Sequence, residues 1–188
     1  THPEVAKSIV EYRYRTMPGA RANAQRLGYH GLFYPWNSAS SGDLATECHS
    51  VDPPHCITQI HLQGDIALAV WQYYLATGDT GWLRDHWSLL RGIAEFWAGR
   101  VTANDDGSYS IHNVAGPDEY SNGINDGAFT NAGAAIALRN VRCRQGRSRA
   151  PPVSSGKRCS MRTTMASGGN RLTLAAASSI PSGNPSSR

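Results

Sequence analysis

The stretch "ITQIHLQGDIALAVWQYYLATGDTGWLRDHWSLLRGIAEFWAGR", residues 57–100, decides the fold. In its first half Ile66, Ala69, Val70, Tyr73 and Ala76 or Thr77 recur at helical spacing and place one apolar face on a helix. In its second half Leu83, Trp87, Leu90, Ile93, Ala94 and Trp97 do the same, behind Asp79 or Thr80 as N-cap. The joint "TGDTG" is too short for anything but a reversal, so the two helices are expected to pack as an antiparallel pair.

Outward from this pair the texture stays helical. Residues 3–27 read as one helix, with Pro3 in its first turn, Val5, Ile9 and Tyr12 in helical register, and Gly28 as the stop. After the pair, "ANDDGSYSIH" predicts a tight turn at Asp106-Gly107 and a short strand. A further helix is expected from Thr130 or Asn131, through Ala132, Ala135, Ile136 and Leu138. The fold class is therefore all-α, with function carried on loops.

Two connections are long, 28–56 and 114–129. Loops above about 12–15 residues are uncommon unless functional or disordered, and both of these carry aromatics. Phe33, Tyr34 and Trp36 offer flat faces of the kind that stack on sugar rings, and the Asn, Asp and Gly of both loops suit hydroxyl groups. The second loop, "VAGPDEYSNGINDGAFTN", sets Asp118 and Glu119 between a Gly-Pro turn and Tyr120. A general acid needs a carboxyl whose proton is held toward neutral pH by apolar neighbours. Pro117 and Tyr120 would supply stiffness and a wall for Glu119, while Asp118 anchors the turn. By residue chemistry alone, a solvated acidic pair is the commoner outcome.

Charge divides the chain near Asn140. Residues 1–140 hold all 14 acidic and 9 of the 18 basic residues, a net of −5, together with all 16 aromatics. Residues 141–188 hold the other 9 basic residues and neither acid nor aromatic, a net of +9. Such a tail cannot bury enough apolar surface to offset its chain entropy, so disorder is expected. It reads either as the product of a slipped reading frame or as a basic arm for nucleic acid, the first being preferred. No run of about 18 apolar residues exists to span a membrane. The opening on Thr1 rather than Met suggests a piece of a longer protein.

Cys48 and Cys56 would close a short loop as a disulfide, with two free thiols as the equal alternative. Cys48, His49, His55, Cys56 and His61 match no zinc spacing, so no metal is expected, and His61 reads as a polar side chain on an early helical turn. Phosphate-binding glycine motifs, nucleophile elbows and HExxH are absent.

Three stretches in order, "YRYRTMPGARANAQRLGYHGLFYPWNSASSG", "QIHLQGDIALAVWQYYLATGD" and "GPDEYSNGINDGAFTN", resemble glycoside hydrolase family 65. That family includes acid trehalases, glucosylgalactosyl-hydroxylysine glucosidases and disaccharide phosphorylases. The resemblance implies a partial (α/α)6 barrel over residues 1–140, with 141–188 outside it. It also implies inverting cleavage of an α-glucosidic bond, with an α-glucoside as substrate, no nucleic-acid or membrane partner and no cofactor. Glu119 would protonate the leaving oxygen. Trp36, Asp118 and Tyr120 would contact the substrate or shape the acid's surroundings. An inverting hydrolase also needs a second carboxylate about 6.5–9.5 Å away to activate water. In the family that base, and the phosphate site of the phosphorylases, lie downstream of the acid, where this chain carries its basic tail. Ser121 stands where phosphorylases often have His, which favours hydrolysis over phosphorolysis. An extracellular, vacuolar or lysosomal setting is also implied. A non-catalytic helical module with a nucleic-acid arm is the alternative from another class.

Overall fold

A computed structural model describes residues 2–38, 40–44, 55–118 and 120–147, with side chains as far as Arg142. Seven helices and one small hairpin are formed among the described residues. They are α1 (Pro3–Arg15), α2 (Met17–Arg26), α3 (His55–Thr58), α4 (Leu62–Thr77), α5 (Thr80–Asp85), α6 (Trp87–Arg100), β1 (Thr102–Ala103), β2 (Tyr109–Ser110) and α7 (Ala128–Arg147). No helix among the described residues is long and apolar enough to cross a membrane.

The expected first helix is interrupted at Thr16, whose ψ of 8° leaves the helical path. Pro18 is the cause: it has no N–H to give to a carbonyl one turn back, and it suits the first turn of a new helix. The expected apolar stripe on α1 faces outward: Val5 and Ile9 each stand 60% exposed and Tyr12 is half-buried, while the residue buried on this helix is Val10, which the spacing did not single out.

Asp79 caps α5 as expected, accepting the Trp82 N–H at 2.8 Å. The second half of the predicted pair is split at His86. The His86 ring Nδ1 approaches the Trp82 carbonyl at 2.9 Å, and the His86 backbone N–H reaches the same oxygen at 3.0 Å. That doubly engaged carbonyl tightens the turn and ends α5. On its other side, His86 Nε2 lies 3.0 Å from Glu11 Oε1, at ion-pair distance though off the hydrogen-bond direction. Trp82 Nε1 donates to the same carboxylate oxygen at 3.0 Å, and the indole and imidazole stack at 4.3 Å. Burial works against charge on Glu11, but the adjacent His86 ring and the Trp82 N–H outweigh it and hold the carboxyl below its usual range.

The predicted turn is present, with Gly107 at φ 77° and the register Thr102↔Ser110, Ala103↔Tyr109. The last helix begins at Ala128, two residues earlier than expected, and runs past Asn140, where composition changes. Leu32, Phe33, Tyr34, Leu89, Leu90, Ile93 and Trp97 are fully buried and form the centre of the core. Of the expected α4 stripe, Ile66 and Val70 are buried, while Ala76 and Thr77 are exposed because the C-terminal turn of α4 projects from the body.

Two glycine contacts position the loops. The chain at Gly31 (φ 84°) crosses α6 so closely that a Cβ on Gly92 would lie 2.5 Å from Leu32 Cγ. Leu32 N–H then bonds the Gly92 carbonyl at 2.9 Å. Where α4 meets α7, a Cβ on Gly64 would lie 2.6 Å from Gly133 Cα. Absent side chains therefore allow the backbones to touch, and α7 enters the core directly behind the acid-bearing loop.

Candidate active site

The aromatic loop is fixed from below by Asn23, fully buried on α2. Its Nδ2 donates to the carbonyls of Phe33 at 3.2 Å and Gly42 at 2.8 Å, and its Oδ1 accepts from Leu44 N–H at 2.9 Å. Gln63 on α4 grips the next residue along: Oε1 accepts the Tyr34 N–H at 2.9 Å and Nε2 donates to the Tyr34 carbonyl at 2.8 Å. Phe33 and Tyr34 are therefore core residues, which corrects the expectation that they stack on sugar. Their rings are fully buried, and the Tyr34 hydroxyl donates to the Arg13 carbonyl at 2.6 Å, with burial raising its pKa. Of the three aromatics only Trp36 remains open, at 45% exposure.

The acidic loop is a narrow hairpin. Val114 and Ile124 exchange backbone hydrogen bonds at 2.9 and 3.0 Å, and Gly116 N–H bonds the Ser121 carbonyl at 2.6 Å. At its tip Asp118 Oδ1 accepts the N–H groups of Tyr120 at 3.0 Å and Ser121 at 2.9 Å. The Ser121 hydroxyl, then these backbone donors, hold the Asp118 carboxyl below the usual carboxylate range. Tyr120 projects outward, 94% exposed. Glu119 lies outside the described residues, as does Cys48.

The polar run after the tip closes the loop. Asp126, in the left-handed region at φ 54°, exchanges two bonds with Ile111: its Oδ1 accepts at 3.0 Å and its N–H donates at 2.8 Å. Asn125 Oδ1 accepts the Asn113 N–H at 3.0 Å. Midway, the Ala115 N–H bonds the Thr58 carbonyl at 3.0 Å and moors the hairpin to the end of α3. Cys56, one residue pair earlier, is buried and disulfide-bonded, which removes the free-thiol alternative at that position.

The three segments meet at His61, the residue before α4. Its ring lies 5.5 Å from Trp36 and 5.5 Å from Phe129, centroid to centroid, tilted on the first and edge-on to the second. His61 is only 3% exposed, and burial lowers its pKa against the opposing charge of Asp65, one helical turn on. Burial likewise raises the Asp65 carboxyl, with His61 opposing. Sequence reading placed His61 on an early turn but not in contact with two aromatic rings, and it did not single out Phe129. The signal available was the aromatic-Thr-Asn ending of the acidic loop. Among the described residues, no group of three or more His, Cys, Asp or Glu is placed to hold a metal ion.

The sequence profile of the glycosyl hydrolase family 65 central catalytic domain matches residues 1–153. The chain belongs to glycosyl hydrolase family 65. Within this family it is 45% identical over 141 residues to a kojibiose hydrolase of Flavobacterium johnsoniae, covering 74% of this chain and 20% of that protein. It is 39% identical to a kojibiose phosphorylase of Halothermothrix orenii, covering 70% of this chain and 18% of the other. A solved structure titled as a putative kojibiose phosphorylase from the human microbiome superposes with a TM-score of 0.69 at 25% identity, over 77% of this chain and 19% of that one. The chain thus spans about a fifth of the length of the curated relatives it matches. The relatives include both a hydrolase and a phosphorylase of kojibiose, so the chain belongs to a family of glycoside-processing enzymes.

Proposed function

We propose that the whole enzyme to which this chain belongs cleaves an α-glucosidic bond by an inverting hydrolysis, with Glu119 as general acid, on an (α/α)6 barrel of which residues 1–140 form part, and that this chain by itself is inactive. The observation that carries this reading is the state of Asp118. A carboxylate that already accepts two backbone N–H groups and a hydroxyl stays ionised at neutral pH and has no proton to give. Of the adjacent pair, Glu119 is then the group left for proton donation, and Asp118 holds the shape of the loop that bears it.

The reaction follows from that division. Glu119 protonates the departing glycosidic oxygen as the bond to the anomeric carbon lengthens. Water, deprotonated by a second carboxylate, attacks from the opposite face and inverts the centre. Trp36 offers its open face to the glucosyl ring, and Tyr120, exposed at the hairpin tip, is a further contact for the substrate. Kinship with kojibiose hydrolases supports kojibiose as the first substrate to try, with trehalose as the second. Phosphorolysis is the competing reading, supported by the phosphorylase relatives, with phosphate in place of water.

The test uses the full-length protein with kojibiose and trehalose, with and without inorganic phosphate. Hydrolysis without phosphate that vanishes in Glu119→Gln is the expected result. A strict phosphate requirement would replace hydrolysis by phosphorolysis, and undiminished turnover in Glu119→Gln would overturn the acid assignment.

A further inference from the structure

Trp36 and Phe129 come from segments far apart in sequence and both pack against one buried imidazole. Trp36 is 45% exposed and Phe129 49%, against 3% for His61. An exposed Phe in the first turn of a helix is common by itself. Here it stands at the end of the acidic loop, edge-on to the same ring against which Trp36 is tilted. The Gly64–Gly133 contact behind them sets how far α7, and with it Phe129, stands from His61.

A second observation points the same way. Gln59 Oε1, His61 Nδ1 and Thr130 Oγ1 are buried without a hydrogen-bond partner among the described residues. These atoms, closed to solvent, leave the turns beneath Trp36 and Phe129 with hydrogen-bonding capacity that the described neighbours do not use. All three belong to the turn that carries His61 or the turn that carries Phe129. The stretches 30–38, 55–65 and 113–133 contain no Lys or Arg, which suits a neutral polyhydroxyl ligand rather than a free anion.

We infer that Phe129 is a further sugar-binding residue, contributing with Trp36 an aromatic surface for a sugar ring of the α-glucoside, and that His61 is the positioning residue on which both rings pack. This rests on the reading of the site as one for an α-glucoside. Phe129 touches the apolar face of the sugar, and His61 acts through the two rings that pack on it.

The experiment is steady-state kinetics on kojibiose with full-length Phe129→Ala, Phe129→Tyr, His61→Ala, His61→Phe and Glu119→Gln. Thermal midpoints are measured for each variant. Phe129→Ala is expected to raise KM about three- to tenfold, with the loss falling on KM rather than kcat, and Phe129→Tyr to restore it. His61→Ala is expected to raise KM likewise, and His61→Phe, which keeps a ring for both to pack on, to bring it back. An unchanged KM in Phe129→Ala would overturn the aromatic surface even while Glu119→Gln still abolishes turnover. A His61→Phe variant folded at the wild-type midpoint but no better than His61→Ala would remove the positioning role. Turnover that survives Glu119→Gln would instead strike the underlying reading, whatever the aromatic variants do.

Discussion

Gly64 and Gly133 lie backbone against backbone, with room for no side chain: a Cβ on Gly133 would stand 3.2 Å from Gly64 Cα, and one on Gly64 only 2.6 Å from Gly133 Cα. Gly64→Ala must push α7 away from α4, because the obstructing atoms are backbone and cannot rotate aside. Overpacking of this kind costs about 1–3 kcal/mol. The expected outcome is a fall in the thermal midpoint of about 2–4 °C per kcal/mol. An alanine at Gly64 with an unchanged midpoint would mean that the two helices do not cross there.

Asn23 makes three hydrogen bonds to the backbone of the aromatic loop while fully buried. Asn23→Ala leaves those groups unpaired, at about 1–3 kcal/mol for each buried group. A large loss of denaturant stability is expected, with Trp36 fluorescence changing ahead of global unfolding as the loop loosens. If Trp36 reports only the global transition, the loop has another anchor.

Glu11 ties α1 to α5 through Trp82 and His86. Its carboxyl lies below the ordinary value of 4.5, although burial opposes the shift, because the His86 ring and the Trp82 N–H favour the charged form. A depressed carboxyl contributes stability that is complete above the unfolded-state pKa and lost as pH falls through the lower folded-state pKa. The expected result is therefore a wild-type denaturation midpoint that drops on acidification below pH 4.5 by more than that of Glu11→Gln, which carries no titrating group there. Parallel curves for the two proteins would remove the ion pair from the account.

Asp118 can be separated into shape and charge. Asp118→Asn keeps an acceptor oxygen for the Tyr120 and Ser121 N–H groups, whereas Asp118→Ala keeps none. On an α-glucoside, kcat is expected to fall further in the alanine variant than in the asparagine variant. Equal losses would show that the negative charge matters and the turn does not.

The helix-pair stretch was legible because its apolar spacing is regular and Asp79 is a strong cap. Its break at His86 was not, because it arises from a ring nitrogen seeking the Trp82 carbonyl and from Glu11, 75 positions away in sequence numbering. Spacing also overstated α1: Val5 and Ile9 keep helical register yet face outward, since periodicity reports what a helix offers and not what covers it. In the site, the turn-forming role of Asp118 follows from adjacent carboxylates pointing apart. Burial of Phe33 and Tyr34 did not show, because a sugar-stacking ring and a core ring are the same residue until neighbours are known. The Asn125–Asp126 run looked like ligand chemistry and proved to close its own loop.

The hydrogen bond from Ala115 to the Thr58 carbonyl has a consequence under reducing conditions. It fastens the hairpin that carries the acidic pair to a short helix whose Cys56 is covalently bridged. The mooring post of the loop is thus held by a covalent bridge as well as by packing, so reducing that bridge is expected to free the post and, with it, the loop.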